Sequence, residues 1–282
     1  MAGVTVSDMR HEIGLRAYVI SLATAHKRRA ACRVRLGGRI PFVIVDAVDG
    51  RVMSEDALRA VTREMHSHRL GRPLTSGEVA CSLSHKRALE MFVESGEAWG
   101  LILEDDFQDR PWTMAGLADL LDMVRDRPGV DIVKLGGYEP LTARGRLIDR
   151  RPACALIETM TFGMCAHAYV VSRAGARKLA RAITPILEPY DHFLRNDFRY
   201  DCRVFDTSPW FFGTDPLLTA GSALHHDREA VNQIPLSMPQ RVRRRWERLA
   251  YSFRKSLRNT RRFGWRAVFY KSSFHRFPSG ET

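Results

Sequence analysis

The stretch "WGLILEDDF", residues 99–107, is an apolar run suited to the middle of a sheet, and it ends in Glu104, Asp105 and Asp106. Adjacent carboxylates repel by roughly 1 kcal/mol per close pair even in water, so something cationic must offset them. Two arrangements would serve. One is a capped strand end whose acids are solvated or paired with arginines. The other is a divalent ion. Side chains alternate along a strand, which predicts Glu104 and Asp106 on one face and Asp105 on the other. Two carboxylates aimed at one point suit magnesium or manganese, hard ions that keep open positions for phosphate oxygens. Glu104 and Asp106 are therefore the candidate metal ligands.

A second group of polar residues lies upstream in "LTSGEVACSLSHKRALEMFVESG", residues 74–96. Thr75 and Glu78 have the spacing of a capping box and Gly96 supplies a stop, so this segment is expected to be a helix. The i, i+4, i+7 rule puts Glu78, Ser82 and His85 on one face, bordered by Cys81, Ala88 and Phe92. Polar groups beside a core must be hydrogen-bonded, so they are either struts or the wall of a site. His85 is correspondingly a satisfied core histidine or a functional one. "HKRRAACR" after the first strand offers Arg28 or Arg29 to a diphosphate, with the amides of a helix N-terminus beside them. The other reading of that run is a solvated helix face.

These residues need a scaffold that brings them together. "AYVISL" (17–22) and "PFVIV" (41–45) are short and rich in β-branched or aromatic residues, and they flank the basic helix. Further strands are expected at 100–104, 131–135, in "ALIETM" and "AHAYVVS", and in "CRVFDTSPWFF". Helices are expected from Ser54, over 113–126, over 172–183 with Ser172 as cap, and briefly from Asp191. The alternation predicts an α/β fold: a mostly parallel twisted sheet with helices on both faces. In such sheets ligands bind outside the carboxyl ends of the strands. Asp46 and Asp49, the acid triplet, and Gly136-Gly137 should then open onto one edge. The expected organisation is an N-terminal extension (1–16), a catalytic domain (17–235) and a basic tail (236–282).

The net charge of +12 resides in the tail. Residues 241–277 hold 13 Lys/Arg against Glu247 alone, and the other 31 basic and 31 acidic residues cancel. Val242, Trp246, Leu249, Phe253 and Leu257 recur at helical spacing among the arginines, which predicts a basic amphipathic helix. Such a helix suits the headgroup region of an anionic membrane. The competing class is a nucleic-acid-binding protein or metal-dependent nuclease. The apolar residues form one continuous stripe, which favours lipid; no nucleic-acid partner is expected. Five scattered cysteines without C-x-x-C spacing indicate neither a disulfide framework nor a zinc knuckle, and fit a reducing cytoplasm. "RAYVISLATA" has the small-residue spacing of a signal cleavage site. Its apolar core is only about six residues and Glu12 precedes it, so it is read as the first strand.

"YVISLATAHKRRAA", "IPFVIVDAVDGR", "GEVACSLSH", "LEDD", "IVKLGG" and "HAYVVSRAGARKLA" follow one another in an order that resembles glycosyltransferase family 25, over roughly residues 17–212. The resemblance implies a fold of the GT-A type and an inverting transfer from a nucleotide sugar, usually UDP-galactose, with a manganese-type metal. The acceptor it implies is a lipooligosaccharide or related glycan. Glu104-Asp105-Asp106 would be the variant Asp-x-Asp motif, with Ser21, Arg28 and Asp46 near the nucleotide. Glu78, Ser84 and His85 would lie near the donor pocket, and Lys134 of "IVKLGG" joins the donor-binding set. An inverting attack requires a base opposite the leaving group. Asp191 is the first candidate, Glu139 the second, and His85 a further catalytic candidate; for Asp191 a helix N-cap is the alternative role. After Pro216 the chain departs from the family pattern, leaving His225 and His226 as candidates for a third metal ligand. The location these expectations imply is cytoplasmic, peripheral on the inner membrane.

Overall fold

The computed structural model describes residues 14–62, 65–67, 69–137, 143–219, 231, 236–265 and 275–277. Glu139, His225 and His226 lie outside the described residues. The chain opens with β1 (Arg16–Ser21), α1 (His26–Leu36) and β2 (Phe42–Asp46), the strand–helix–strand unit expected from the sequence. A 3₁₀ turn, Gly50–Val52, leads to α2 (Glu55–Val61), capped by Ser54 Oγ accepting from the Ala57 amide. A small hairpin, β3 (His66–Ser67) and β4 (Arg72–Pro73), precedes α3 (Ser76–Ser95). Both halves of its capping box form, and Gly96 ends it at φ 78°, in the left-handed region that favours glycine.

Next come β5 (Trp99–Glu104), β6 (Phe107–Asp109), α4 (Thr113–Val124) and β7 (Ile132–Lys134). Three strands then follow without an intervening helix: β8 (Ala143–Arg150), β9 (Ala155–Thr159) and β10 (Ala168–Ser172). The domain continues through α5 (Arg173–Ile183), α6 (Tyr190–Leu194), β11 (Val204–Ser208), β12 (Phe212–Thr214) and α7 (Pro216–Thr219). A 26-residue helix, α8 (Met238–Phe263), and a last strand, β13 (His275–Phe277), complete the described elements.

Nine strands form one sheet in the order β13-β8-β9-β11-β7-β10-β5-β1-β2. It is mixed, correcting the expectation of a mostly parallel sheet. Only β1·β2, β1·β5 and β7·β11 pair in parallel; β10 runs antiparallel to both β5 and β7, and β8, β9 and β13 pair antiparallel. Parallel neighbours need a crossover of a dozen or more residues. Only the four residues 151–154 join β8 to β9, which obliges a hairpin, and the extended segment 160–167 carries the chain back for β10. β13 lies within the segment expected to form a separate tail, yet it pairs with β8 at the sheet's edge.

Both faces are covered, as the alternation implied. Ala17, Val19, Leu101 and Leu103 point to a core shared with Cys32 and Leu36 of α1 and Leu117, Leu120, Leu121 and Val124 of α4. Tyr18, Ile20 and Ile102 point to the opposite core, shared with Val79, Ala88, Leu89 and Phe92 of α3 and Leu179 and Ile183 of α5. The period-2 alternation of a strand splits one sequence run between two cores. Because β1, β2, β5 and β7 run the same way, their carboxyl ends meet at one edge.

The helix α8 is amphipathic, but it docks by its polar side. Arg258 pairs with buried Asp197, Arg262 meets Glu158 at 2.8 Å, and the Tyr251 hydroxyl donates to the Arg195 carbonyl at 3.3 Å. Arg69 stacks over the Tyr251 ring at 4.7 Å. At 100° per residue, Val242, Trp246, Leu249, Phe253 and Leu257 fall on the opposite side. They are 42–70 % exposed. Glu158 is fully buried and receives Arg146, Arg203 and Arg262; desolvation raises its pKa, but the three guanidinium groups outweigh that and lower it.

At Gly100, α3 packs closely on β5: a Cβ there would lie 2.7 Å from the Phe92 ring. Phe92 is fully buried and hemmed in on that face. Gly100→Ala should therefore lower the urea-unfolding free energy by about 1–3 kcal/mol through overpacking. Adding Phe92→Leu should recover part of the loss; unchanged melting of the single variant would show that the helix can lift without cost.

Candidate active site

A cleft of about 370 Å³ opens at the carboxyl ends of β1 and β5, between the N-terminal turn of α1, the 47–51 loop and α3. That falls in the range of small-molecule sites, roughly 300–1,000 Å³. Its floor is the acid triplet. β5 stops at Glu104, and residues 105–106 form the turn that leads to β6. All three acids line the cleft, with Glu104 turned toward His85 on the α3 side and Asp105 toward Ser21 and Arg28 on the α1 side, the opposed orientation that alternation predicts for neighbours.

Each acid has different surroundings. Asp105 is buried, accepts from Ser21 Oγ at 2.6 Å and pairs with Arg28 Nη1 at 2.9 Å. Arg28 in turn donates to the Leu218 carbonyl at 2.5 Å, tying α1 to the chain after β12. Glu104 Oε1 lies 3.3 Å from His85 Nε2, and the Glu104 amide donates to the His167 carbonyl at 2.8 Å. The Asp106 carbonyl accepts from the Asp215 amide at 2.8 Å. Buried Cys32 of α1 lies beneath, its thiol 3.4 Å from the Asp105 carbonyl; burial, with Asp105 adding to it, pushes that thiol up to about 11.

From α3, Ser84 and His85 reach the cleft and Glu78 does not. Ser84 Oγ accepts from the Val48 amide at 2.9 Å, which holds the 47–51 loop as the cleft's outer wall. His85 is fully buried, stacks on the Tyr190 ring at 3.9 Å, and has Nδ1 3.2 Å from the Tyr169 hydroxyl. Glu78 is occupied at the helix N-terminus: it accepts from Arg72 at 2.6 and 2.9 Å and from the Thr75 amide at 3.1 Å. Glu78 thus braces the start of α3 and lies outside the cleft lining. Asp46 stands at the rim with a largely exposed side chain paired to Arg29 at 2.5 Å, outside the cleft lining.

Lys134 belongs to a second, buried cluster on β7 and β11. Its Nζ donates to the Met164 carbonyl at 2.6 Å and lies over the Trp210 ring at 5.2 Å. Burial lowers its pKa while neighbouring Asp206 opposes that. Burial likewise pushes Asp206 up to about 6, against Lys134, the Trp210 indole N–H at 2.8 Å and the Thr207 amide. Lys134 therefore lies in the core, outside the cleft lining. Beside it, Cys165 Sγ lies 2.7 Å from His167 Nδ1. Asp191 occupies the first turn of α6, where Pro189 is the N-cap; its Oδ1 accepts from the His192 amide at 2.9 Å.

Cys81 is absent from the site residues expected from the sequence. It stands one turn before His85 on α3 and lines the cleft, and its thiol, a His85 ring nitrogen and a Glu104 oxygen lie within 4.8 Å of one another. The i, i+4 spacing of Cys81 and His85 was the available signal. The part played by Tyr169 and Tyr190 had none, since they arrive from β10 and α6, more than eighty residues beyond His85.

Residues 15–126 match the family model of "Glycosyltransferase family 25 (LPS biosynthesis protein)". The matched segment runs from β1 to α4 and contains every residue that lines the cleft. Among curated relatives, a probable inactive glycosyltransferase 25 family member 3 of Bos taurus is 29% identical over 79% of this chain and 39% of its own length. Procollagen galactosyltransferase 1 of Danio rerio is 28% identical over 61% of this chain and 28% of its own. A putative glycosyltransferase of Haemophilus influenzae is 25% identical over 85% and 86%. The chain thus spans about two fifths of the length of the family member 3 proteins it matches.

The two aspartates contrast in a measurable way. Asp105→Ala strands the Arg28 guanidinium and the Ser21 hydroxyl in a largely buried setting and should cost about 2–3 kcal/mol. Asp46→Ala removes an exposed pair and should cost less than about 0.5 kcal/mol. Urea melts of the two variants side by side check the difference, and equal values would contradict the assigned roles.

Proposed function

We propose that the chain is a GT-A-type, inverting hexosyltransferase that takes a nucleotide-diphosphate sugar in the cleft at the end of β5. UDP-galactose is the favoured donor, and a lipooligosaccharide or related glycan the favoured acceptor. One observation carries the reading: within the matched segment, Ser21, Arg28, Ser84, His85 and the acid triplet converge on a single cleft at the carboxyl edge of the sheet. The donor sugar follows the name of the procollagen galactosyltransferase relative, and the acceptor follows the family model's description.

The residues divide the work. Thr24, Ala25 and Arg28 line the cleft where α1 begins, and that helix has neither a side-chain cap nor an acid in its first turn. Its first amides and the Arg28 guanidinium suit a diphosphate. Asp105 and Ser21 hold Arg28 in place, and Ser84 fixes the loop that closes over the donor. Glu104 and Asp106 share the cleft floor and offer hard oxygens, which fits a manganese or magnesium ion. Such an ion offsets the charge that develops on a departing diphosphate. The proton of the acceptor hydroxyl must go to a carboxylate. Asp191 is the assigned base: it stands in the first turn of α6, next to Tyr190, whose ring stacks on His85. Glu139 is the second candidate.

Thermal-shift titration with UDP-, GDP- and CMP-sugars, with and without manganese, should show stabilisation by a UDP-hexose. Asp191→Asn should retain that shift and lose transfer by about 10²-fold or more. Failure of every nucleotide sugar to bind would overturn the reading. Binding without transfer or donor hydrolysis in the parent chain would place it with the relatives named inactive.

We further propose that α8 carries the enzyme at an anionic membrane surface on the cytoplasmic side. Its inverted docking is the support: basic residues hold it to the body while Trp246 and Phe253 face outward, flanked by further arginines. No described helix is long and apolar enough to cross a membrane. In flotation with phosphatidylglycerol vesicles, the parent chain should rise with the lipid, and Trp246→Ala/Phe253→Ala should remain behind. Equal flotation of both, or an oligonucleotide gel shift of comparable strength in the same salt, would refute a lipid role.

A further inference from the structure

We infer that α8 carries a groove for the phosphate monoester headgroup of a membrane lipid, built by Arg241, Arg244, Arg245 and Arg248. This deepens the membrane-surface reading of α8 and rests on it: that reading needs only an anionic surface, whereas this one names the anion. The groove has a volume of about 320 Å³ and runs along the first half of the helix, with Leu236 and Leu249 beside the four guanidinium groups. It shares no residue with the cleft at the end of β5.

The first support is a row of cations without counter-charges. Arg244 and Arg262 differ by 18 positions, about five turns at 3.6 residues per turn, so they stand on one face of α8. Toward the end of that face Arg258 and Arg262 meet Asp197 and Glu158. Toward its start, among the described residues, none of Arg241, Arg244, Arg245 and Arg248 meets a carboxylate. Arg241 uses only its Nε, which donates to the Leu236 carbonyl at 3.1 Å. Arg244 is pressed against the β3–β4 hairpin, where a Cβ on Gly71 would lie 2.5 Å from its Cδ. Its Nε is shielded from solvent and has no hydrogen-bond partner among the described residues. Desolvation and the neighbouring Arg248 both lower its pKa, with no acid to oppose them. A shielded donor left unpaired is unfavourable, and an anion in the groove would satisfy it.

The second support is what surrounds the charge. At 100° per residue the groove lies between the docking face of α8 and its apolar stripe, and Leu249 belongs to both groove and stripe. Trp246, on the same stripe, is 68% exposed. An anion held here has apolar surface beside it, which suits a headgroup with its acyl chains alongside better than a small free ion. The four guanidinium groups also exceed the single charge of a phosphodiester. A phosphate monoester carries roughly 1.5–2 negative charges near neutral pH and three acceptor oxygens, so it engages several guanidinium forks at once. The groove therefore favours a monoester such as phosphatidic acid over a diester such as phosphatidylglycerol.

The test is flotation of the full chain with phosphatidylcholine vesicles that carry either phosphatidic acid or phosphatidylglycerol, matched in zeta potential. The parent chain should partition about fivefold or more in favour of phosphatidic acid. Arg244→Gln/Arg248→Gln and the control Arg254→Gln/Arg261→Gln remove the same charge from α8, so both should bind phosphatidylglycerol vesicles alike. Only the first should lose the preference for phosphatidic acid. Near-ultraviolet circular dichroism establishes that each variant is folded. Equal partition of the parent chain between the two vesicles overturns the inference and leaves the membrane reading standing. A preference that survives in Arg244→Gln/Arg248→Gln, or is lost equally in the control, overturns it as well. Calorimetric binding of glucose 6-phosphate that depends on Arg244 and Arg248, without selective flotation, would make this a site for soluble phosphates and overturn the lipid assignment. Failure to float on either vesicle strikes the membrane reading itself.

Discussion

The organisation of this protein turns on the electrostatics of one strand end. Three carboxylates in sequence cannot share one environment without repelling, and the fold gives each a different one. Asp105 is drawn toward α1 by Ser21 and Arg28, Glu104 is turned toward His85 on α3, and Asp106 sits in the turn that hands the chain to β6. The two helices lie on opposite faces of the sheet, so the triplet joins the two cores at the edge where the cleft opens. A charge cluster that would destabilise a plain strand end becomes the point at which three elements are held in register.

The arginine–aspartate pair on the α1 side also explains why the cleft is preformed. Arg28 is fixed by a carboxylate on one side and the Leu218 carbonyl on the other, so its fork is oriented ahead of any anion. Preorganisation of this kind spares the ordering cost of a long flexible side chain at binding. The His85 side differs in chemistry and shares the logic. An imidazole stacked on one tyrosine and bonded to another has a set ring plane, and the carboxylate it faces belongs to the central strand.

At the far end of the chain, α8 inverts the usual relation between helix and core. Amphipathic helices normally bury the apolar stripe. Here the buried partners are acids, Glu158 and Asp197, and the helix meets them with Arg262 and Arg258. Glu158 collects three guanidinium groups, from β8, from the residue preceding β11 and from α8, so one buried charge ties the sheet to the terminal helix. The apolar stripe is what remains outside, beside the arginines that docking does not use.

Much of this was legible in the chain. Short β-branched runs, Ser54 and Ser172 caps, the Thr75–Glu78 box and the Gly96 stop are local signals, set within a few residues, and each element they mark is present. Parallel strands ending in acids gave the cleft's edge for the same reason, since strand direction follows from the helices between them. What the sequence could not decide was whatever depends on distant partners. The mixed sheet arose because β8, β9 and β10 lack intervening helices, so connection length and not strand composition set their direction. Glu78 and His85 share a helix face, yet Arg72 captured one and Glu104 the other; Lys134 ends a strand like the acids do but is claimed by Asp206 and Trp210. Side-chain type and period are properties of the chain, whereas the partner of a charge is fixed only by folding, which brings Glu104 to His85 and Arg262 to Glu158.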